Sequence, residues 1–148
     1  MAMTNKYNFN NLNVSIKKGG KLISSNFENV QSVDQLKYLI QKGVGEHEIE
    51  SLSVDYDGDA FSMDVISENG LSCITFYDNV SQKSYNYFNS NYITSEKFID
   101  IAGYECPQKI ICNDDGILIE IIIFFLENGK MYGRVEWCDE NGSVISKE

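Results

Sequence analysis

The sequence predicts an α+β domain in which an antiparallel sheet of about five to seven strands carries two main helices. Three observations point there: period-two alternation broken by glycine-bearing turns through residues 51 to 88, a helical capping pattern near residue 32, and a long apolar segment bounded by cap residues from 114 to 128. With 148 residues, 43% of them hydrophobic, the chain can bury one core of ordinary size. It has one proline and no repeat or low-complexity tract, so residues 1–148 read as a single domain.

Residues 7 to 17 alternate loosely through Phe9, Leu12, Val14 and Ile16 and end in Lys17-Lys18-Gly19-Gly20, which predicts a first strand and a turn. Ser32-Val33-Asp34-Gln35 fits a capping box, because a serine hydroxyl can accept the N–H three residues on while the glutamine reaches back. A helix over 33–42 follows, with Leu36, Leu39 and Ile40 on one face and Gly43 as its left-handed C-terminal cap.

Leu52, Val54 and Tyr56 alternate with Ser51, Ser53 and Asp55; after Asp57-Gly58-Asp59, Phe61, Met63 and Val65 alternate with Ser62 and Asp64. That is a pair of half-buried strands around a turn that glycine makes easy. Asn69-Gly70 is the strongest short hairpin signal in the chain, and it leads into strands at Leu71–Asp78 and Lys83–Phe88. The β-branched run from Ile117 to Ile123 fits a strand or a helix by periodicity. Asn113-Asp114 as an N-cap, Gly129 as a C-cap and a length beyond a usual strand favour a helix over 114–128. Tyr132–Cys138 alternates again before Asn141-Gly142 turns the chain.

Lys and Arg number 12 against 22 Asp and Glu, a formal net charge of -10. Phosphate binding draws on clustered bases, so direct nucleic-acid binding is not expected. The excess is concentrated: residues 43 to 82 hold nine acids, from Glu46 to Asp78, and no Lys or Arg. Such a field either keeps a domain soluble or speeds its encounter with a basic partner.

The start, Met-Ala-Met-Thr-Asn-Lys, has no apolar stretch of a secretory signal, and the longest apolar run, Ile117 to Leu126, is far short of the roughly 20 residues of a membrane helix. A cytoplasmic protein with no membrane partner is expected. Cys73, Cys106, Cys112 and Cys138 match no CxxC or zinc spacing and are expected as reduced, mostly buried thiols, a Cys106–Cys112 disulfide being the one pairing considered.

Catalytic signals are sparse. His47, between Glu46 and Glu48, is the only histidine; it reads as an exposed loop residue and leaves no two-histidine metal site. Asp55-Tyr56-Asp57-Gly58-Asp59 begins like a calcium loop, but Ala60 and Ile66 fall where the glycine and the bidentate acid are needed. No serine sits in a Gly-x-Ser-x-Gly elbow and no glycine-rich phosphate loop precedes a helix. Six aromatics, Phe76, Tyr77, Tyr85, Tyr87, Phe88 and Tyr92, crowd 17 residues; core packing explains most of them, and an exposed tyrosine beside acids would anchor a protein partner. No catalytic, cofactor or metal residue is assigned.

Gly103-Tyr104-Glu105-Cys106-Pro107, then an apolar helix ending Phe125-Leu126-Glu127-Asn128-Gly129, then Val135-Glu136-Trp137 resembles the C-terminal half of family one of the polymorphic-toxin immunity proteins. There a proline-containing turn precedes a helix with a phenylalanine, leucine, glycine ending, and a strand with tryptophan and an acid follows. The hairpins carrying Asp55 to Asp59 and Gly70-Leu71-Ser72-Cys73-Ile74 are similar to its N-terminal half. The resemblance spans residues 50 to 138 and departs at Cys138, where an acid usually follows the tryptophan.

It implies an immunity protein of the contact-dependent inhibition type that binds and neutralises a cognate bacterial toxin domain one-to-one, commonly a nuclease. A nuclease cleft holds phosphates with bases, so an acidic face suits its inhibitor. On that reading Asp55, Asp57, Asp59 and Asp64, with Glu136 and Asp139, meet toxin bases while Tyr56 or Tyr85 supplies a buried anchor. The alternatives are a small enzyme or ligand-binding protein with a tyrosine and carboxylate pocket, and a structural subunit whose apolar helix completes another chain's core.

Overall fold

The computed structural model describes residues 12–18, 21–24 and 33–145. Ten strands and two helices follow the chain as β1 (Leu12–Lys18), β2 (Lys21–Ser24), α1 (Val33–Gly45), β3 (Ile49–Tyr56), β4 (Phe61–Glu68), β5 (Leu71–Asp78), β6 (Lys83–Phe88), β7 (Phe98–Ile101), β8 (Tyr104–Pro107), β9 (Ile111–Cys112), α2 (Asp115–Asn128) and β10 (Glu136–Asp139). The main sheet is antiparallel in the order β10-β6-β5-β4-β3-β1-β2, while β7 and β8 form a separate hairpin. The α+β class, the antiparallel sheet and the two main helices match the sequence reading.

The central meander follows from turn chemistry. Asn69 (φ 55°) and Gly70 (φ 82°) join β4 to β5 as a two-residue turn with both residues left-handed, a geometry that asparagine and glycine adopt at least cost. Asp57 (φ 58°) and Gly58 (φ 74°) open the longer turn from β3 to β4. The outer edge of β5 is shared: β6 pairs with Thr75–Asp78 and β9 with Ser72–Cys73. The far edge strand, β10, is shielded by the returning chain, since Cys138 bridges Val144 and the Ile145 N–H donates to the Trp137 carbonyl at 2.9 Å.

Both helices cover one face of this sheet. Val14, Leu52, Val54, Met63, Ile74 and Phe76 project from the strands to meet Leu36, Ile40 and Val44 of α1 and Leu118, Ile121, Ile122, Phe125 and Leu126 of α2, all buried. Phe125 is fully enclosed, with its ring centroid 5.9 Å from Tyr56 and 5.7 Å from Phe76. An ion pair between Lys37 and Glu127 ties the helices together.

The α2 segment is helical despite its isoleucines because its ends are satisfied: the Asp114 carboxylate accepts the Ile117 N–H at 3.1 Å, and Gly129 (φ 67°) closes the last turn by donating to the Phe125 carbonyl at 2.8 Å. A Cβ on Gly129 would lie 2.4 Å from the Tyr56 ring, so glycine is required there twice over.

Two expectations change, at Gly43 and at Tyr132. Gly43 does not end α1; it is buried inside the helix, which runs to Gly45 because Val44 continues the apolar stripe of Leu36 and Ile40, and His47 (φ 56°) takes the left-handed position instead. The strand expected from Tyr132 begins only at Glu136, because residues after Gly129 fold back so that the Tyr132 carbonyl accepts the buried Trp137 indole N–H at 3.0 Å. Pro107 ends strand β8 and leads into a single 3-10 turn, Gln108–Ile110, which with β9 precedes the long helix. The four cysteines are free, and Cys106 does not pair with Cys112: Cys112 sits in the main core and Cys106 in a satellite core under the hairpin. Ser32 of the capping box, residues 7 to 11 of the first strand and the Gly19-Gly20 turn lie outside the described residues.

Candidate partner-binding surface

The face of the sheet turned away from the helices is only partly covered. The β7–β8 hairpin sits at one end of it, where Ile101, Cys106 and Ile111 pack with Ile66, Leu71 and Cys73. Beyond the hairpin the face is polar, and the registers place its residues in rows. One row runs Ser15, Ser53, Asp64, Thr75, Asn86; the next runs Asp55, Ser62, Tyr77, Ser84.

Within these rows the carboxylates are held by hydroxyls from the neighbouring strand. Ser53 Oγ donates to Asp64 Oδ1 at 2.8 Å, and Ser62 Oγ donates to Asp55 Oδ1 at 2.8 Å. Asp57 and Asp59 stand exposed in the turn that joins the two strands, where Asn79 Nδ2 ties the Asp59 carbonyl to Ser62 Oγ at 2.7 and 3.1 Å. Among the described residues no Lys or Arg forms an ion pair with Asp55, Asp57, Asp59 or Asp64. Tyr77 lies beside them on the open face; burial, then the Asp64 charge, pushes its phenol above the ordinary value.

The other residues singled out from sequence are placed elsewhere. Tyr56 lies on the helix-covered face, against Phe125 and Gly129. Tyr85 is on that same side, its ring 6.3 Å from Phe76, and with Asp139, Glu140 and Lys83 it lines a half-open groove of about 360 Å³ beside β10. Glu136 and Asp139 are three apart on one strand and so project to opposite faces. The Asp139 carboxylate is already engaged, accepting the N–H groups of Asn141 and Ser143 at 2.9 Å each. The structure thus gathers Asp55, Asp57, Asp59 and Asp64 on one hairpin, leaves Glu136 on the same face but three strands away on β10, and puts Tyr56, Tyr85 and Asp139 on the helix-covered side.

Tyr77 is the member that the sequence reading passed over. Alternation alone does not place it, because Leu71, Cys73 and Tyr77 on one side and Ile74 and Phe76 on the other are both apolar; in the structure Ser72, Ile74 and Phe76 are the buried positions, so Tyr77 faces the other way. The same parity puts Tyr56 with Leu52 and Val54 on the core side.

Several acids of the 43 to 82 stretch have structural duties instead. Glu68 accepts the Ala102 N–H at 2.7 Å, Asp78 accepts the N–H groups of Val80 and Ser81, and Glu50 pairs with Lys17 at 3.5 Å. His47 Nε2 lies 2.6 Å from Asp115 Oδ2 in a crevice of about 10 Å³ shared with Ser67, Glu68 and Ser72, room for roughly one water molecule. Among the described residues no group of three or more His, Cys, Asp or Glu converges as a metal site, and no helix is long and apolar enough to cross a membrane. Comparison with family models, with curated proteins and with solved structures finds no match to this chain.

Proposed function

We propose that this chain is an immunity protein that binds and neutralises a cognate bacterial toxin domain, a basic nuclease, one-to-one through the acidic β3–β4 hairpin. The observation that carries the reading is the set of four carboxylates, Asp55, Asp57, Asp59 and Asp64, presented on one hairpin without a cation of the described residues to neutralise them. Two are fixed in orientation by serines, so a partner's Lys or Arg meets acceptors already ordered, and less side-chain freedom is lost on binding. Tyr77, with an apolar ring and a polar tip beside those acids, is the anchor in this arrangement. The nuclease identity rests on the sequence resemblance.

A pocket-based function has less support. The groove beside Tyr85 contains the expected tyrosine and carboxylates, but Asp139 is spent on its own turn and Glu140 accepts the Ser84 N–H at 3.3 Å. A calorimetric titration against the C-terminal domain of a large exported protein encoded beside this chain, at two salt concentrations, tests the proposal. Tight one-to-one binding that weakens with salt supports it; absence of binding at both salt concentrations refutes it.

A further inference from the structure

The satellite core joins two cysteines that are 33 positions apart in sequence. Cys73 is on the outer face of β5, opposite Ile66, and Cys106 is on the face of the β7–β8 hairpin turned toward the sheet, opposite Ile99. Both belong to the same small apolar cluster, Cys106 at its buried centre and Cys73 packed against it, and each thiol influences the other. Cys106 is buried, whereas Cys73 keeps partial exposure, so a small oxidant can reach one thiol while the other waits beside it. We infer that Cys73 and Cys106 form an oxidisable dithiol that a hydroperoxide converts to an intramolecular disulfide, stitching the hairpin to the sheet.

The chemistry balances with the peroxide as the two-electron oxidant. The Cys73 sulfur, as thiolate, attacks one peroxide oxygen; the S–O bond forms, the O–O bond breaks, and hydroxide leaves and takes up the proton that the thiol gave up. The Cys106 thiol then attacks the sulfenic sulfur, losing its proton as the S–S bond forms and the S–O bond breaks to release water. Two thiols are oxidised, the peroxide is reduced, and two waters result in all when the oxidant is hydrogen peroxide. Burial, with the neighbouring Cys106 adding to it, pushes the Cys73 thiol up to about 12, so the crosslink forms slowly at neutral pH and faster as pH rises. It is a slow latch and not a rapid peroxide sensor.

The test is an intact-mass and peptide-map analysis of the full chain before and after hydrogen peroxide, at pH 7 and at a pH roughly two units higher, where the thiolate fraction is larger. A monomer lighter by two hydrogens, with one crosslinked peptide pair containing Cys73 and Cys106, formed faster at the higher pH and melting about 5–10 °C above the reduced protein, is the expected result. Cys112→Ser should retain the crosslink and Cys106→Ser should lose it. A chain that keeps four thiols, that oxidises each cysteine separately, or that links Cys106 to Cys112 or to a second molecule overturns the inference, whatever its affinity for a partner.

Discussion

Backbone conformation at single residues explains more of this fold than composition does. Gly129 combines a left-handed φ with a Tyr56 ring where a Cβ would go. Gly129→Ala is therefore expected to lower stability by about 2 kcal/mol or more, read as a drop in urea midpoint at unchanged slope. Ala102 is the opposite case: it holds φ 53° in the two-residue turn between β7 and β8, a place where glycine or asparagine would rest without strain. Ala102→Gly keeps the N–H that Glu68 accepts and should gain about 0.5 kcal/mol in the same assay.

Cys73 sets a pH dependence at this scale too. The unfolded thiol loses its proton near its ordinary 9, whereas burial holds the native one up to about 12. Between those values the unfolded chain has released a proton that the native state keeps, so stability is intact below pH 9 and falls as pH rises toward 12. Tyr87, raised to about 12 chiefly by burial, acts in the same direction. Denaturation midpoints across that range should decline less steeply in Cys73→Ser than in the parent; equal slopes would mean that the thiol contributes nothing.

At the scale of elements, legibility tracks how much of an element's stability is local. Helix α2 was readable because Asp114 and Gly129 satisfy its ends from within the segment, and β3, β4 and β5 because alternation and Asn69-Gly70 specify both faces and register. Strands β2, β7, β8 and β9, two to four residues each, carry too few side chains for a pattern and exist by pairing with partners already in place. The candidate site was half legible for a related reason. Asp55, Asp57, Asp59 and Asp64 are close in sequence and stay together, but Glu136 and Asp139 come from a strand whose neighbours only the tertiary fold selects. Since α2 owes its start to one carboxylate, Asp114→Ala should cost about 1 kcal/mol by chemical denaturation. Phe125→Ala, which empties the meeting point of Tyr56 and Phe76, should cost about 3–5 kcal/mol.

The whole molecule presents two unlike faces, one buried under the helices and one polar and partly open. On the proposed function, Asp57→Lys combined with Asp59→Lys should slow association with the toxin domain at least about tenfold at low salt and flatten its salt dependence, leaving the melting temperature nearly unchanged. Stopped-flow association at two ionic strengths measures this, and unchanged rates would move the contact surface off this hairpin. The same molecule-wide view gives the short return of the chain over β10 a purpose. A sheet that ended on β10 alone would offer the Trp137 carbonyl and the Asp139 N–H as a ready ladder for another copy; here Ile145 and Ser143 occupy both. Ending the chain at Gly142 should therefore make the protein self-associate more than the full chain does as its concentration rises, visible in light scattering before any loss of fold.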